Sequence, residues 1–214
     1  MSRKAVTDGG KRDEIINAAL NLFFEQGYEG TSVRSIMKKA GAEIGLFYYY
    51  FNSKDEVFDI AVERFVESYR PGFDDAYARG VDDPHQALSI YFEFVRRCTV
   101  EFRAKYGETL HWAVRRAIRE RALEIMEPYL EKIIGLLVEN GMQEPPVDRH
   151  VLAIILTNGV GSVILHADAD DWLAALPEMK KAVHLMLGSP VGAQIGLAET
   201  ESTTGAAANR EDCP

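Results

Sequence analysis

Three consecutive tyrosines, Tyr48, Tyr49 and Tyr50, stand between Phe47 and Phe51 in the stretch GLFYYYF of residues 45–51. A phenol hydroxyl is a neutral donor on a rigid arm and suits a phosphate oxygen. Gly45 carries no side chain and lets its backbone approach another molecule closely. Lys54 stands at the start of the next helical pattern, where an ammonium beside free helix amides makes an anion site. The chemistry on offer is recognition of phosphate. Signals of catalysis are missing: there is no Walker P-loop, no G-x-S-x-G, no H-E-x-x-H and no C-x-x-C. His85, His111, His150 and His184 show no spacing that suggests a catalytic group. The run HADADD at 166–171 contains metal-ligand types but reads as a helix end and a loop. The expectation is no catalytic residue, no metal, no cofactor and no enzyme activity.

The elements around the tyrosines are helical by pattern. Residues 11–26 place Ile15, Ile16, Ala19, Leu20 and Phe23 on one face, and Gly27 stops the pattern. Thr31 or Ser32 can cap a second helix, in which Val33, Ile36, Met37 and Ala40 recur at i, i+3, i+4 and i+7. Gly41 ends it. A third helix over about 43–50 follows after a turn of about three residues, and Ser53 caps a fourth that ends at Pro71 and Gly72. Two helices joined by a tight turn containing glycine form a helix-turn-helix, and the second of them enters the DNA major groove. In the third helix, Phe47 and Phe51 share a face with Ile44 and can join the core. Gly45, Leu46 and Tyr49 point the other way. Tyr48 lies on the boundary, where a ring packs and its hydroxyl reaches out. Seven helical residues cannot bury all five rings.

Charge divides the chain. Its net charge is −9. Residues 1–54 hold eight Lys or Arg against six Asp or Glu, a balance of +2, and the remainder holds 16 against 27. That pattern suits a module that approaches phosphate and an acidic body that does not. Apolar residues at 47% are ordinary for a globular protein. The two cysteines, Cys98 and Cys213, give no disulfide framework and fit a cytoplasmic protein. No signal peptide or membrane span is read.

TSVRSIMKKAGAEIGLFYYYFNSKDEVF, residues 31–58, resembles the signature of the tetracycline-repressor (TetR) family of bacterial regulators. The positions that carry the likeness are Phe23, Gly27, Thr31, Val33, Ile36, Ala40, Gly41, Gly45, Phe47, Tyr48, Tyr50, Phe51, Ser53 and Lys54. The resemblance implies an all-α homodimer with two helix-turn-helix heads on larger helical bodies. It implies that Thr31, Tyr48 and Lys54 hold phosphates, with Arg34 a further candidate. Glu43, Ile44, Gly45, Leu46 and Tyr49 would face bases. Leu46 stands where the family often has Thr, and can touch a thymine methyl. Glu43 stands where Ser or another small polar residue is usual, and can accept from cytosine N4. Arg3, Lys4, Lys11 and Arg12 add cations near the start of the chain.

The expected organisation is a DNA-binding domain over 1–54, a ligand-binding and dimerisation domain over 55–188, and a disordered tail over 189–214. The body pattern gives helices over 84–105, 107–120, 122–139, 147–167 and 177–187. The apolar run 151–165 and the helix after it carry more apolar surface than one body can cover, which implies an interface between two copies with Val160, Ile164 and Leu185 near it. In the resembling family the body senses a small molecule. The candidate pocket residues are Tyr91, Phe94, Cys98, Phe102, His111, Trp112, Met126, Tyr129 and Asn158. Arg96 and Arg97 are expected to pair with Glu93 or Glu101. The partners implied are an operator in double-stranded DNA, a small-molecule effector and a second copy of the chain, with no membrane. A family-like adaptor that works through protein contacts is the alternative, supported by the acidic charge and Glu43.

Overall fold

The computed structural model describes residues 10–107, 110–166 and 169–188. Among these every element is helical, so the fold is all-α: α1 (Lys11–Gly30), α2 (Val33–Lys39), α3 (Ile44–Tyr50), α4 (Lys54–Glu67), α5 (Arg70–Asp82), α6 (Ala87–Tyr106), α7 (Trp112–Glu139), α8 (Arg149–Leu156), α9 (Ser162–His166) and α10 (Ala169–Met186). A 3-10 turn, Pro84–Gln86, precedes α6, and a π-helical turn, Thr157–Gly161, joins α8 to α9. No described helix is long and apolar enough to cross a membrane. The described backbone forms two compact units, residues 10–67 with 106–107 and 110–121, and residues 68–105 with 122–166 and 169–188.

In the first unit, the α1 pattern of Ile15, Ile16, Ala19 and Phe23 becomes a buried face. It meets Ile36 and Met37 of α2, Phe47 of α3, Phe51, and Val57, Ala61 and Val62 of α4, all buried. Asp13 is buried too, and Arg64 of α4 pairs with it at 2.7 Å. An almost dehydrated charge survives only with such a partner. Phe23 and Tyr28 stack nearly parallel and both meet Phe58 edge to face, and Phe24 packs on Tyr106 with ring centres 4.9 Å apart. The regular turns of α1 stop at Gly27, as its pattern predicts: the backbone leaves helical angles there, at φ 76° and ψ 174°, and a short helical stretch beyond this kink carries α1 to Gly30.

The second unit is centred on aromatic rings. Phe73 of α5 lies 4.8 Å from Phe94, 5.2 Å from Tyr129 and 6.0 Å from Tyr91, centre to centre. A methyl at Gly72 would fall 2.4 Å from the Phe94 ring, so α5 and α6 touch there. Helix α5 corrects the sequence reading, which took Pro71 and Gly72 as a stop. Pro71 lies in the first turn of a new helix, where its missing amide costs nothing. The break expected near Glu120 does not exist either: α7 runs through, because Glu120 and Arg121 are good helix formers. The expected helix over 147–167 is two helices joined by the π turn, and the last helix begins before residue 177, with Pro177 inside it.

The start of α8 is tied to α7. Asp148 caps it by accepting from the amides of His150 and Val151, and His150 Nδ1 lies 3.0 Å from Glu131 Oε2. This hydrogen bond, with the field of Glu131, Glu127 and Asp148, raises the His150 pKa above its ordinary 6.5. A raised folded-state pKa stabilises the fold below the unfolded value and loses that stabilisation as pH climbs through the folded value. His150→Gln is therefore expected to flatten the fall in Tm between about pH 5.5 and pH 8. Thermal melts across that range check it, and an unchanged slope would show that the contact adds nothing.

Candidate nucleic-acid interface

Local chemistry fixes the two helices that present the tyrosines. Ser32 caps α2: its hydroxyl accepts from the Ser35 amide at 3.0 Å, and Ser35 Oγ accepts from the Ser32 amide at 3.0 Å. At the other end the Ala42 amide reaches back to Met37 O at 3.0 Å, and the Gly41 amide to Lys38 O at 3.3 Å. This closing motif requires a left-handed residue, and Gly41 has φ 60°. The chain re-enters helix at Glu43, whose side chain makes no capping bond.

α3 is one short turn after another, held by two rings. Phe47 and Phe51 are buried, and Tyr50 and Leu46 are half-buried. The outward arc is Ile44, Gly45, Tyr48 and Tyr49. Tyr48 is 62% exposed and Tyr49 67% exposed, an unusual position for large rings, although Tyr48 meets Phe47 and Tyr49 meets Tyr50 edge to face. Among the described residues no hydroxyl of Tyr48, Tyr49 or Tyr50 has a hydrogen-bond partner. A methyl built on Gly45 would meet nothing within 4 Å, so packing inside the chain does not require glycine there. Ile44 corrects the sequence reading, since it is 40% exposed and lies outside the core. A seven-residue helix seats its two bulkiest apolar side chains and leaves the position one turn earlier on the rim.

The phosphate candidates divide. Arg34 is exposed near the start of α2, with no ion pair among the described residues. Lys38, one turn on, is likewise exposed and unpaired among them, and the sequence reading missed it. Its signal was the i, i+4 spacing from Arg34. Thr31 is a correction: its side chain is buried and its hydroxyl donates to Gly27 O at 2.7 Å, so it locks the α1 kink. Lys54 donates to Tyr28 O at 2.9 Å and Thr31 O at 3.1 Å, and lies 3.8 Å from the centre of the Tyr28 ring. Two of its three donors thus close the end of α1, and Tyr28 in turn hydrogen-bonds Asp55. Lys39 pairs with Glu25 at 2.6 Å, Lys11 donates to Ala40 O, and Arg12 lies over the Phe51 ring. Arg3 and Lys4 lie outside the described residues.

The candidate pocket residues also divide. Tyr91, Phe94, Met126 and Tyr129 are buried together in the second unit. The Tyr91 hydroxyl donates to Met126 O at 3.0 Å, and burial pushes its pKa up. Tyr129 donates to Asp74 at 2.5 Å and is shifted up by burial and by that carboxylate. Cys98 and Phe102 are half-buried on α6. Asn158 is exposed, and its amide donates to Ile154 O. His111 and Trp112 leave the set: both belong to the first unit, Trp112 is 68% exposed, and His111 lies against Gly27. Arg96 pairs with Glu93 at 2.5 Å.

Of the residues expected at an interface between copies, Leu185 is exposed and Val160 half-buried. Ile164 is a correction: it is 3% exposed and belongs to the core of its own protomer. The exposed apolar positions are instead Val151 and Ile155 on α8, at i, i+4, with Leu185 and Met186 on α10. The side chains of 165, 166 and 169–171, residues 167–168, and the tail over 189–214 lie outside the described residues.

Residues 15–60, from α1 to α4, match the family described as bacterial regulatory proteins, tetR family. These four helices are a TetR-family head. The chain is 28% identical over 140 residues to the probable transcriptional regulator YttP of Bacillus subtilis, covering 62% of this chain and 65% of that protein. It is 32% identical over 88 residues to IcaR of Staphylococcus epidermidis, described as a negative transcriptional regulator, covering 39% and 45%. Among solved structures, reduced NemR of E. coli shares the fold with a TM-score of 0.55 at 18% identity, over 84% of this chain and 99% of that one. The TetR head thus coincides with the helices that present Tyr48 and Tyr49.

For a cation that meets a phosphate, affinity depends on salt through released counterions. Arg34→Ala and Lys38→Ala are each expected to lower the slope of log affinity against log salt by about 0.9 for each phosphate left without its cation. A salt series of fluorescence-anisotropy titrations on bound DNA checks this. A slope unchanged in both would remove α2 from the interface.

Proposed function

We propose that the protein is a ligand-responsive transcriptional repressor that binds a palindromic operator as a homodimer and is released by a small molecule. The observation that carries this reading is the outward arc of α3. It offers two exposed tyrosines with unpartnered hydroxyls, a glycine with open space above it, and the unpaired Arg34 and Lys38 nearby. Tyr48, Arg34 and Lys38 reach phosphates, and Lys54 adds its charge from behind the Tyr28 ring. Glu43, Ile44, Gly45, Leu46 and Tyr49 face the bases, from a head over 1–54. Repression is supported by the description of IcaR. Dimerisation is supported by the exposed apolar stripe of Val151 and Ile155 and by Leu185 and Met186, which one copy leaves in water. Two heads on one dimer suit half-sites about one helical turn apart, ~34 Å. An effector in the body over 55–188, near Tyr91, Phe94, Met126 and Tyr129, biases the dimer toward a head spacing that no longer fits both half-sites.

The test is selection of bound DNA from a random pool with the full chain at moderate salt, read by sequencing. A palindromic motif supports the reading and gives the half-site spacing. No enrichment from a folded dimer would sink it in favour of an adaptor acting through protein contacts. Glu43, exposed at the head of α3 without a capping bond, would be the first residue to change to Ser.

A further inference from the structure

Thr157 is 1% exposed, and its hydroxyl has no hydrogen-bond partner among the described residues. A helical threonine ordinarily returns its hydroxyl to the carbonyl four residues back, as Thr99 does to Val95 O at 2.8 Å. Thr157 does not. It opens the π-helical turn Thr157–Gly161, a distortion that recurs at functional sites. A buried hydroxyl left unpaired is costly, so the fold keeps it against its own stability.

The surroundings say what could use it. Helices α7 and α8 run antiparallel: Gly135 lies beside Arg149, Glu131 beside His150, and Met126 and Leu123 beside Gly161. Thr157, four residues before Gly161, is therefore level with the turn of α7 that holds Met126 and Tyr129. A methyl on Gly161 would fall 2.7 Å from Met126 Cε, so the thioether lies directly against the π turn and a side chain there would have to push it aside. Methionine is the apolar side chain that most easily vacates its place. At this level the Tyr91 hydroxyl is engaged by Met126 O, and the Tyr129 hydroxyl by Asp74. The Thr157 hydroxyl is left over among the described residues.

We propose that Thr157 anchors the effector, a neutral and mainly apolar molecule with one hydrogen-bonding oxygen, which takes the place of the Met126 thioether between α7 and the π turn. This rests on the ligand-responsive reading above and names the chemistry of its ligand. A carboxylate would have to compete with Asp74 for the cation at this level, because Tyr129 meets both Asp74 and Arg70 and the two charges balance.

The test uses the full chain with [methyl-13C]methionine, titrated with 2-undecanone and, in parallel, with sodium decanoate. Saturable movement of the Met126 methyl resonance by the ketone is expected. Thr157→Val should weaken that binding about tenfold or more, and Thr157→Ser should hold it within about threefold. Without ligand, Thr157→Val should raise Tm by about 2–4 °C, which also shows that the variant folds. Equal ketone binding by Thr157→Val overturns the anchor. An unmoved Met126 overturns the seat, and tighter binding of decanoate overturns the neutral ligand. The ligand-responsive reading fails separately, in an operator-release assay. A compound that frees DNA while leaving Met126 unmoved sinks this proposal and spares that reading.

Discussion

Gly45→Ala is expected to give a protein at least as stable as the parent that binds its DNA at least tenfold more weakly. The two halves of that result have separate causes. Inside the chain, a methyl at Gly45 meets nothing within 4 Å, and φ there needs no glycine. Alanine in a helix gains up to ~1 kcal/mol over glycine, less in the first turn. Outside the chain, the methyl projects from the arc between Tyr48 and Tyr49, where a groove floor or phosphate must come close. Tenfold corresponds to about 1.4 kcal/mol, which one misplaced methyl at a packed contact supplies. Thermal melts and anisotropy titrations on the same preparation check both halves. A variant that melts higher and binds unchanged would remove this face of α3 from the interface, whatever else the head does.

Local chemistry in the sequence was enough for the head. Ser32, Gly41 and Ser53 mark helix ends through bonds to residues within five positions, and such bonds are readable from spacing. What could not be read are contacts between residues far apart in the chain. Lys54 looks like a free cation in sequence, yet its ammonium closes carbonyls 23 and 26 residues away. Thr31 looks like a surface hydroxyl, yet the kink at Gly27 draws it inside. Ile44 shows the limit of helical periodicity in a short element: the 100° rule names a face but not how much of it the neighbours cover. In the body the same limit had larger effects. Apolar residues run all round residues 151–165, so periodicity could not tell Ile164, which faces its own core, from Val151 and Ile155, which face out. The π turn has no sequence signal, so the orphaned Thr157 hydroxyl was invisible. Pro71 failed as a stop signal because the same ring that ends one helix suits the first turn of the next.

Gly27→Ala is expected to be among the most damaging single methyl additions in the first unit. At φ 76° and ψ 174° the backbone lies in a region that is essentially reserved for glycine, and a side chain there costs about 1–3 kcal/mol. The new methyl also lands 3.0 Å from Cβ and Cγ of His111, and overpacking of this kind adds about 1–3 kcal/mol. A loss of about 2–6 kcal/mol is a large share of ordinary domain stability and lowers Tm by roughly 4–24 °C in a chain of this size. The two causes can be separated. His111→Ala in the Gly27→Ala background removes the ring that the methyl strikes and leaves the backbone strain, so the double variant should recover part of the loss and no more. Full recovery would mean that the kink carries no strain. No recovery would mean that the ring had room to move. DNA affinity is expected to fall with the single variant beyond what the unfolded fraction explains. The Gly27 carbonyl accepts from Thr31, and the carbonyls of Tyr28 and Thr31 receive Lys54. Straightening the kink therefore pulls on the start of α4, the helix that follows Phe51 and fixes the far end of α3.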